Sequence, residues 1–447
     1  FKQKTAYEIP KRDWSSDVCS SDLKMPVRDK DMPESLGPGH AASVQSLEPS
    51  AYWGKEKLWD TRANNHNSMF DKEGRIWLAA NVRGRDNPAF CKKGSDHPSA
   101  KVFPLDQSSR QVAVLDPKTM KYQFVDTCFG THHPQLGYDA DNTLWLSGTG
   151  PVAGWVNTKV FLETGDSAKA QGWSPFILDT NGNGKRDEFV GINDPIDPAK
   201  DKRIQGGLYG VAPSPADGSI WGSVLGMPGG IVRVVLGPDP THTALTEYYE
   251  VPWNNPKASA QGFAPRGMDV DGNGVVYTVL SSGQLASFDR RKCKGALNGP
   301  EATGKQCVEG WTLYTFPGPN FQGAADNSSV SAESAYYDWV DRFDLLGFGK
   351  NVPLSTGNES EAVLALVDGK FMTFRVPYPM GYFAKGLDGR IDNPNSGWKG
   401  KGMYTAVSTR APFHMEGGKG TTAKLAKFQD RKSTRLNSSH VSESRMP

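Results

Sequence analysis

The 447 residues predict an all-β chain, specifically a β-propeller of five to seven blades, each of about four antiparallel strands, with small helical insertions. Three observations carry this. Glycine (49) and proline (31) are abundant and tryptophan (12) is frequent, a composition of short strands and tight turns rather than helical bundles. No stretch is apolar enough to cross a membrane as a helix. A hairpin-like unit also recurs along the chain.

The unit is an acidic or glycine turn, then a polar residue, an aliphatic, an aromatic, and small or aliphatic residues. It reads FDKEGRIWLAA (Phe70–Ala80), YDADNTLWLSG (Tyr138–Gly148), SPADGSIWGSV (Ser214–Val224) and VDGNGVVYTVL (Val270–Leu280). Its anchors Trp77, Trp145, Trp221 and Tyr277 are 68, 76 and 56 residues apart. LALVDGKFMTFRV (Leu364–Val376) reads as a fifth, degenerate copy. Alternating strand-like pieces follow: Arg110–Asp116 with Lys121–Asp126, Gly230–Leu236 with Thr246–Pro252, and Gln284–Arg290 with Trp311–Pro317. About four strands per unit is the content of a propeller blade. Two insertions, Asn157–Trp173 and Ala332–Leu346, have helix-compatible patterns; in the second, Tyr336, Trp339, Val340 and Phe343 follow three- and four-residue spacing. Lys424–Gln429 is expected to be a closing strand.

The two ends differ from the rest. Residues 1–23 resemble the translation of a short-read sequencing adapter, and residues 430–447 read as the opposite strand of the same oligonucleotide. Both are expected to be disordered artefacts, leaving residues 24–429 as one propeller domain, with the natural chain expected to extend upstream as part of a longer multidomain protein. The ends hold eight Lys+Arg and six Asp+Glu, so the remainder carries 43 of each and no net charge, against +2 for the whole chain. Such balance gives no electrostatic reason to expect nucleic acid as a partner.

The repeated Asp/Gly turn followed by Ile-Trp or Leu-Trp, over Phe70–Val376, resembles the streptogramin (virginiamycin B) lyase type of β-propeller. The resemblance implies a carbon–oxygen lyase that opens an ester or lactone by elimination, assisted by Mg²⁺ or another divalent ion. The units here are longer than the compact lyase's, and none of its catalytic residues is carried over.

Candidate site residues come from blade geometry. The strand before each repeated turn lies nearest a propeller's channel, and its first residues sit at one rim. Counting back eleven or twelve positions from each anchor gives Asn65 and His66, then His133 and Pro134 with His132 alongside, then Tyr209 and Gly210, then Pro265 and Arg266. Proton-competent side chains at equivalent positions of successive blades converge on one pocket. Histidine suits general acid or base work, and Arg266 suits a carboxylate or ester carbonyl. His414 and Glu416, alternating on a strand, form a second acid/base or metal candidate. The expected ligand is a small molecule, peptide or glycan at the rim. The rival readings are a propeller that only binds, and a calcium-dependent lactonase.

Asp179-Thr-Asn181-Gly-Asn183-Gly-Lys185-Arg-Asp187-Glu188 matches the start of a calcium loop: oxygen ligands at positions one, three and five, glycine at six, a backbone carbonyl at seven from Lys185, and Asp187 at nine. Position twelve is Val190 rather than glutamate, so Glu188 is the local candidate to replace it. Outside the ends there are four cysteines, expected to pair as Cys91–Cys128 and Cys293–Cys307. Paired cysteines with a calcium loop point to a periplasmic or secreted protein. No Walker loop, nucleophile elbow or dinucleotide fingerprint is present, which disfavours nucleotide-driven and serine-hydrolase chemistry.

Overall fold

In the computed structural model the described residues are 25–26, 63, 65–302, 304–318, 331–376, 382–389, 403–407 and 424–428. They form a propeller of small antiparallel sheets, six among the described residues. The first sheet is β1 (Asn65–Phe70), β2 (Ile76–Ala80), β3 (Gln111–Asp116) and β4 (Lys121–Val125). The second is β5 (Pro134–Leu136), β6 (Leu144–Leu146), β7 (Val152–Val156) and β8 (Gln171–Pro175).

The third sheet is enlarged. The connection leading into it contributes β9 (Ile177–Leu178), β10 (Phe189–Val190) and β11 (Asp201–Arg203), which extend the meander β12 (Leu208–Pro213), β13 (Ile220–Val224), β14 (Gly230–Val235) and β15 (Leu245–Glu250). β9 runs parallel to β15. The fourth sheet is β16 (Pro265–Val270), β17 (Val276–Leu280), β18 (Gln284–Phe288) and β19 (Trp311–Thr315). The fifth is β20 (Asp338–Asp341), β21 (Val352–Gly357), β22 (Ala362–Val367) and β23 (Lys370–Arg375), and the sixth is β24 (Ala384–Asp388), β25 (Met403–Val407) and β26 (Lys424–Phe428). Lys424–Phe428 is thus a strand, paired with β25.

The first strands touch in succession: β1 with β5, β5 with β12, β12 with β16, β16 with β20, and β20 with β24. They line the hub. The core is divided into slabs between neighbouring sheets. Met69, Trp77, Leu136 and Trp173 join the first sheet to the second, and Trp221, Tyr249, Met268 and Phe288 join the third to the fourth. The anchors Trp77, Trp145, Trp221 and Tyr277 all lie on second strands, opposite Met69, Gln135, Ala212 and Asp269. The turn aspartates earn their recurrence physically. Asp71 accepts the amides of Glu73 (3.0 Å) and Arg75 (2.9 Å) and the indole N–H of buried Trp77 (3.0 Å), so one carboxylate fixes both turn and anchor.

Two expectations are corrected. Ala332–Leu346 is not helical. Its centre is β20, where Trp339 and Val340 point to opposite faces and are both buried. A short strand covered on both faces has no polar side, so its apolar residues imitate helical spacing. Leu364–Val376 is a hairpin, but it is the outer pair β22–β23, not the inner one. The inner hairpin of that sheet is β20–β21, whose turn aspartate is Asp341, accepting from Phe343 (3.2 Å) and Leu345 (3.0 Å). The other insertion does begin with a helix, Thr158–Thr164, capped by the Asn157 side chain on the Val160 amide (3.0 Å) and ended by Gly165 at φ 67°. It returns to strand by Gln171.

Both disulfides form as expected, Cys91–Cys128 beside the first sheet and Cys293–Cys307 in the connection between β18 and β19. Among the described residues no helix is long and apolar enough to cross a membrane.

Candidate functional site at the hub

The hub site is built by an irregularity repeated in the inner strands. Register slips between Asn65 and Asn67 in β1, between Leu208 and Val211 in β12, and between Pro265 and Met268 in β16. A slip of this kind re-aims a side chain that regular pairing would place elsewhere. The residues inside the slips include His66, Tyr209 and Arg266. The second sheet adds His132 and His133 immediately before β5, held by the His133 amide on Ser147 Oγ (3.0 Å) and the Ser147 amide on the His133 carbonyl (2.9 Å).

The structure brings these five residues together. The His66 and His132 rings stack at 4.2 Å, and His133 stands edge-on to His132 at 3.9 Å and to His66 at 5.3 Å. One ring nitrogen from each of the three lies within 4.8 Å of the others. Tyr209 is 5.3 Å from His132 and 5.7 Å from His133, ring to ring. The Arg266 guanidinium lies 6.0 Å from the Tyr209 ring centroid, with its Nε donating to Ser281 Oγ at 2.9 Å. His414 and Glu416 lie outside the described residues.

Three further residues belong to the cluster and were not among the sequence candidates. Tyr337 is 4.5 Å from His133, and Tyr336 is 4.7 Å from the Arg266 guanidinium. Asn67 donates from Nδ2 to His133 Nδ1, since its Oδ1 already accepts the Ser68 amide at 2.8 Å. With Nδ1 accepting, neutral His133 carries its proton on Nε2. A sequence signal for Tyr336 did exist. Five residues before the turn residues Asp71, Ser214, Asp271 and Asp341 stand His66, Tyr209, Arg266 and Tyr336. Five before Asp139 stands Pro134, with His133 beside it. The fifth inner hairpin went unrecognised because its turn is long, and Tyr336 with it.

Close packing explains why the ring of residues is tight. A Cβ at Gly267 would stand 2.5 Å from the Tyr337 ring, so only glycine lets β16 approach there. Burial drives the Tyr209 phenol well above its ordinary pKa; neighbouring Tyr336 pushes the same way, and Arg266 partly offsets this. Burial likewise raises Tyr337, whose buried hydroxyl has no hydrogen-bond partner among the described residues. Both phenols are therefore neutral donors at physiological pH. Mg²⁺ seeks oxygen ligands in an octahedron, whereas the described cluster offers three imidazole nitrogens. These residues do not fit Mg²⁺.

The loop Asp179–Asp187 lies elsewhere, in the insertion that widens the third sheet, and its residues stay together. Asp179 accepts the amides of Gly182 (2.7 Å), Asn183 (3.2 Å) and Gly184 (2.8 Å). Asn181 and Asn183 both donate to Asp187 Oδ2, at 2.8 and 2.6 Å. Glu188 is not part of this ring: its side chain is 85% exposed and pairs with Lys200 at 3.0 Å.

No family profile matches the sequence, and no curated protein sequence matches it. Solved structures similar to this chain include a streptogramin B lyase at 11% identity, covering 82% of this chain and 84% of that one with TM-score 0.39. A catalytically inactive virginiamycin B lyase from Staphylococcus aureus with quinupristin aligns at 9% identity over 75% and 74%, TM-score 0.37. A putative 6-phosphogluconolactonase from Bacteroides uniformis aligns at 12% identity over 85% and 84%, TM-score 0.41. These likenesses concern the fold alone.

Proposed function

We propose that the hub is a site for a small ester- or lactone-bearing ligand and that it opens the C–O bond by elimination. The observation that supports this best is the convergence of two stacked imidazoles (His66, His132), two neutral phenols (Tyr209, Tyr337) and the Arg266 guanidinium from the starts of five inner strands far apart in sequence. Arg266 holds the carbonyl end through charge-assisted hydrogen bonds. His66 or His132 removes the proton from the carbon that lies β to the departing ester oxygen. The C–H electron pair becomes a C=C bond, the C–O bond breaks, and the carboxylate leaves towards Arg266. His133, with its proton on Nε2, and the phenol of Tyr209 donate to the charge that develops. No step passes through Mg²⁺. The paired cysteines suit an oxidising compartment, periplasmic or extracellular.

The test is incubation of the full chain with a cyclic depsipeptide and with simple lactones, followed by mass spectrometry. Elimination gives a ring-opened product of unchanged mass, and His132→Ala or Arg266→Met lowers kcat/KM by about 10²-fold or more. A gain of one water identifies a lactonase instead. Absence of any product from folded protein, with retained ligand binding, makes the hub a binding site only.

A further inference from the structure

The Asp179 loop has a missing ligand in sequence and a surplus one in space. Its position twelve is Val190, and Glu188 points to solvent. Yet Asp201, fourteen residues beyond Asp187, is completely buried on β11 against the same loop. β11 pairs with β10, placing Asp201 opposite Phe189, two residues from Asp187. One carboxylate oxygen of Asp201 accepts the Asp187 amide at 2.8 Å. The other has no hydrogen-bond partner among the described residues. A buried carboxylate oxygen without a donor is costly unless something cationic meets it.

We propose that Asp179, Asn181, Asn183, the Lys185 carbonyl and Asp187 form a Ca²⁺ site completed by Asp201 from the adjoining strand. Six oxygen donors, three of them carboxylates, suit Ca²⁺ and its flexible coordination. The Asn181 and Asn183 amides, which now donate to Asp187, turn their oxygens inward when the ion binds. The site reaches beyond its own sheet. Asp179 also accepts from Asn298 Nδ2 (2.9 Å), and its carbonyl accepts the Gly299 amide (2.7 Å). Both partners lie in the loop closed by Cys293–Cys307. A bound ion therefore ties the third sheet's insertion to the fourth sheet's disulfide loop.

The test is a Ca²⁺ titration of the chelator-treated full chain by calorimetry, with thermal melts in Ca²⁺ and in EDTA. One site is expected, with Kd on the order of 10⁻⁵ to 10⁻³ M, and a higher Tm in Ca²⁺. Asp201→Asn weakens binding by roughly 10-fold or more, while Glu188→Gln changes it by less than about 2-fold. No binding and no Tm shift in the wild type overturns the site. So does the reverse pattern, with Glu188→Gln weakening binding and Asp201→Asn leaving it intact. If Asp201→Asn does not fold, the wild-type titration and Glu188→Gln still decide.

Discussion

The hub and the Asp179 loop are opposite ways of making a polar site. The loop gathers Asp179, Asn181, Asn183 and Asp187 within nine residues, and its geometry follows from local hydrogen bonds between side chains and nearby amides. The hub gathers His66, His132, Tyr209, Arg266 and Tyr336 from a span of 271 residues, and only sheet-on-sheet packing brings them into contact. Local chemistry was therefore readable residue by residue, down to the turn aspartates. Hub membership was readable only through the repeat. It was missed where the repeat is disguised, at Tyr336 and Tyr337. The one part of the loop that sequence could not give is Asp201, because β11 reaches it through strand pairing rather than proximity in the chain.

The largest expected effect separates the two dependences. Trp77 is fully buried where the first sheet meets the second, between the strands that supply His66 and His132. Trp77→Ala should cost about 3–5 kcal/mol in a denaturant titration. In the fraction that stays folded, it should weaken hub ligand binding while leaving Ca²⁺ affinity within about 2-fold. Equal losses at both sites would erase the distinction. The converse change is Cys293→Ser with Cys307→Ser, which opens a loop of sequence separation 14. A loss of about 3 kcal/mol is expected. Because Asn298 lies in that loop, Ca²⁺ affinity should fall and hub affinity should not.

A third change should stabilise. Asp338 follows Tyr337, is buried, and neither of its carboxylate oxygens has a hydrogen-bond partner among the described residues. Burial raises its pKa well above the ordinary value, and Asp269 adds to the effect. A carboxyl whose folded pKa is raised favours the folded state most at low pH, and that contribution is lost as pH rises through the folded value. Asp338→Asn removes this loss, so stability at pH 7 should rise by about 1 kcal/mol or more, with the gain shrinking towards pH 4. No gain at pH 7 would mean that the carboxylate is satisfied in solution. If hub affinity also stays unchanged, the hub tolerates repair beside it, as a site built by backbone register should.

The smallest expected effect concerns His97, a histidine with a purely structural place. Its Nδ1 accepts the Ser99 amide at 3.2 Å, capping the short helix Pro98–Val102, and its Nε2 meets the Ala168 carbonyl at 3.0 Å. The ring stacks on Trp173 at 4.7 Å. These contacts fix one neutral tautomer, with the proton on Nε2. Burial lowers the pKa, and the carbonyls of Ala168 and Gln171 only partly oppose it. The unfolded chain therefore takes up a proton near pH 6.5 that the folded chain still refuses. Stability is fully present above that value and falls as the pH drops through it towards the lower folded pKa. A second proton on Nδ1 would also set a donor against the Ser99 amide and undo the cap. His97→Asn keeps an acceptor at the cap and does not titrate. Urea midpoints measured from pH 8 to pH 5 should fall for the wild type below about 6.5 and stay flatter for the variant. Parallel curves would place the acid sensitivity elsewhere, with the hub histidines next to be replaced. If replacing them then flattened the curve, the long-range site, rather than a local cap, would set how this propeller responds to acid.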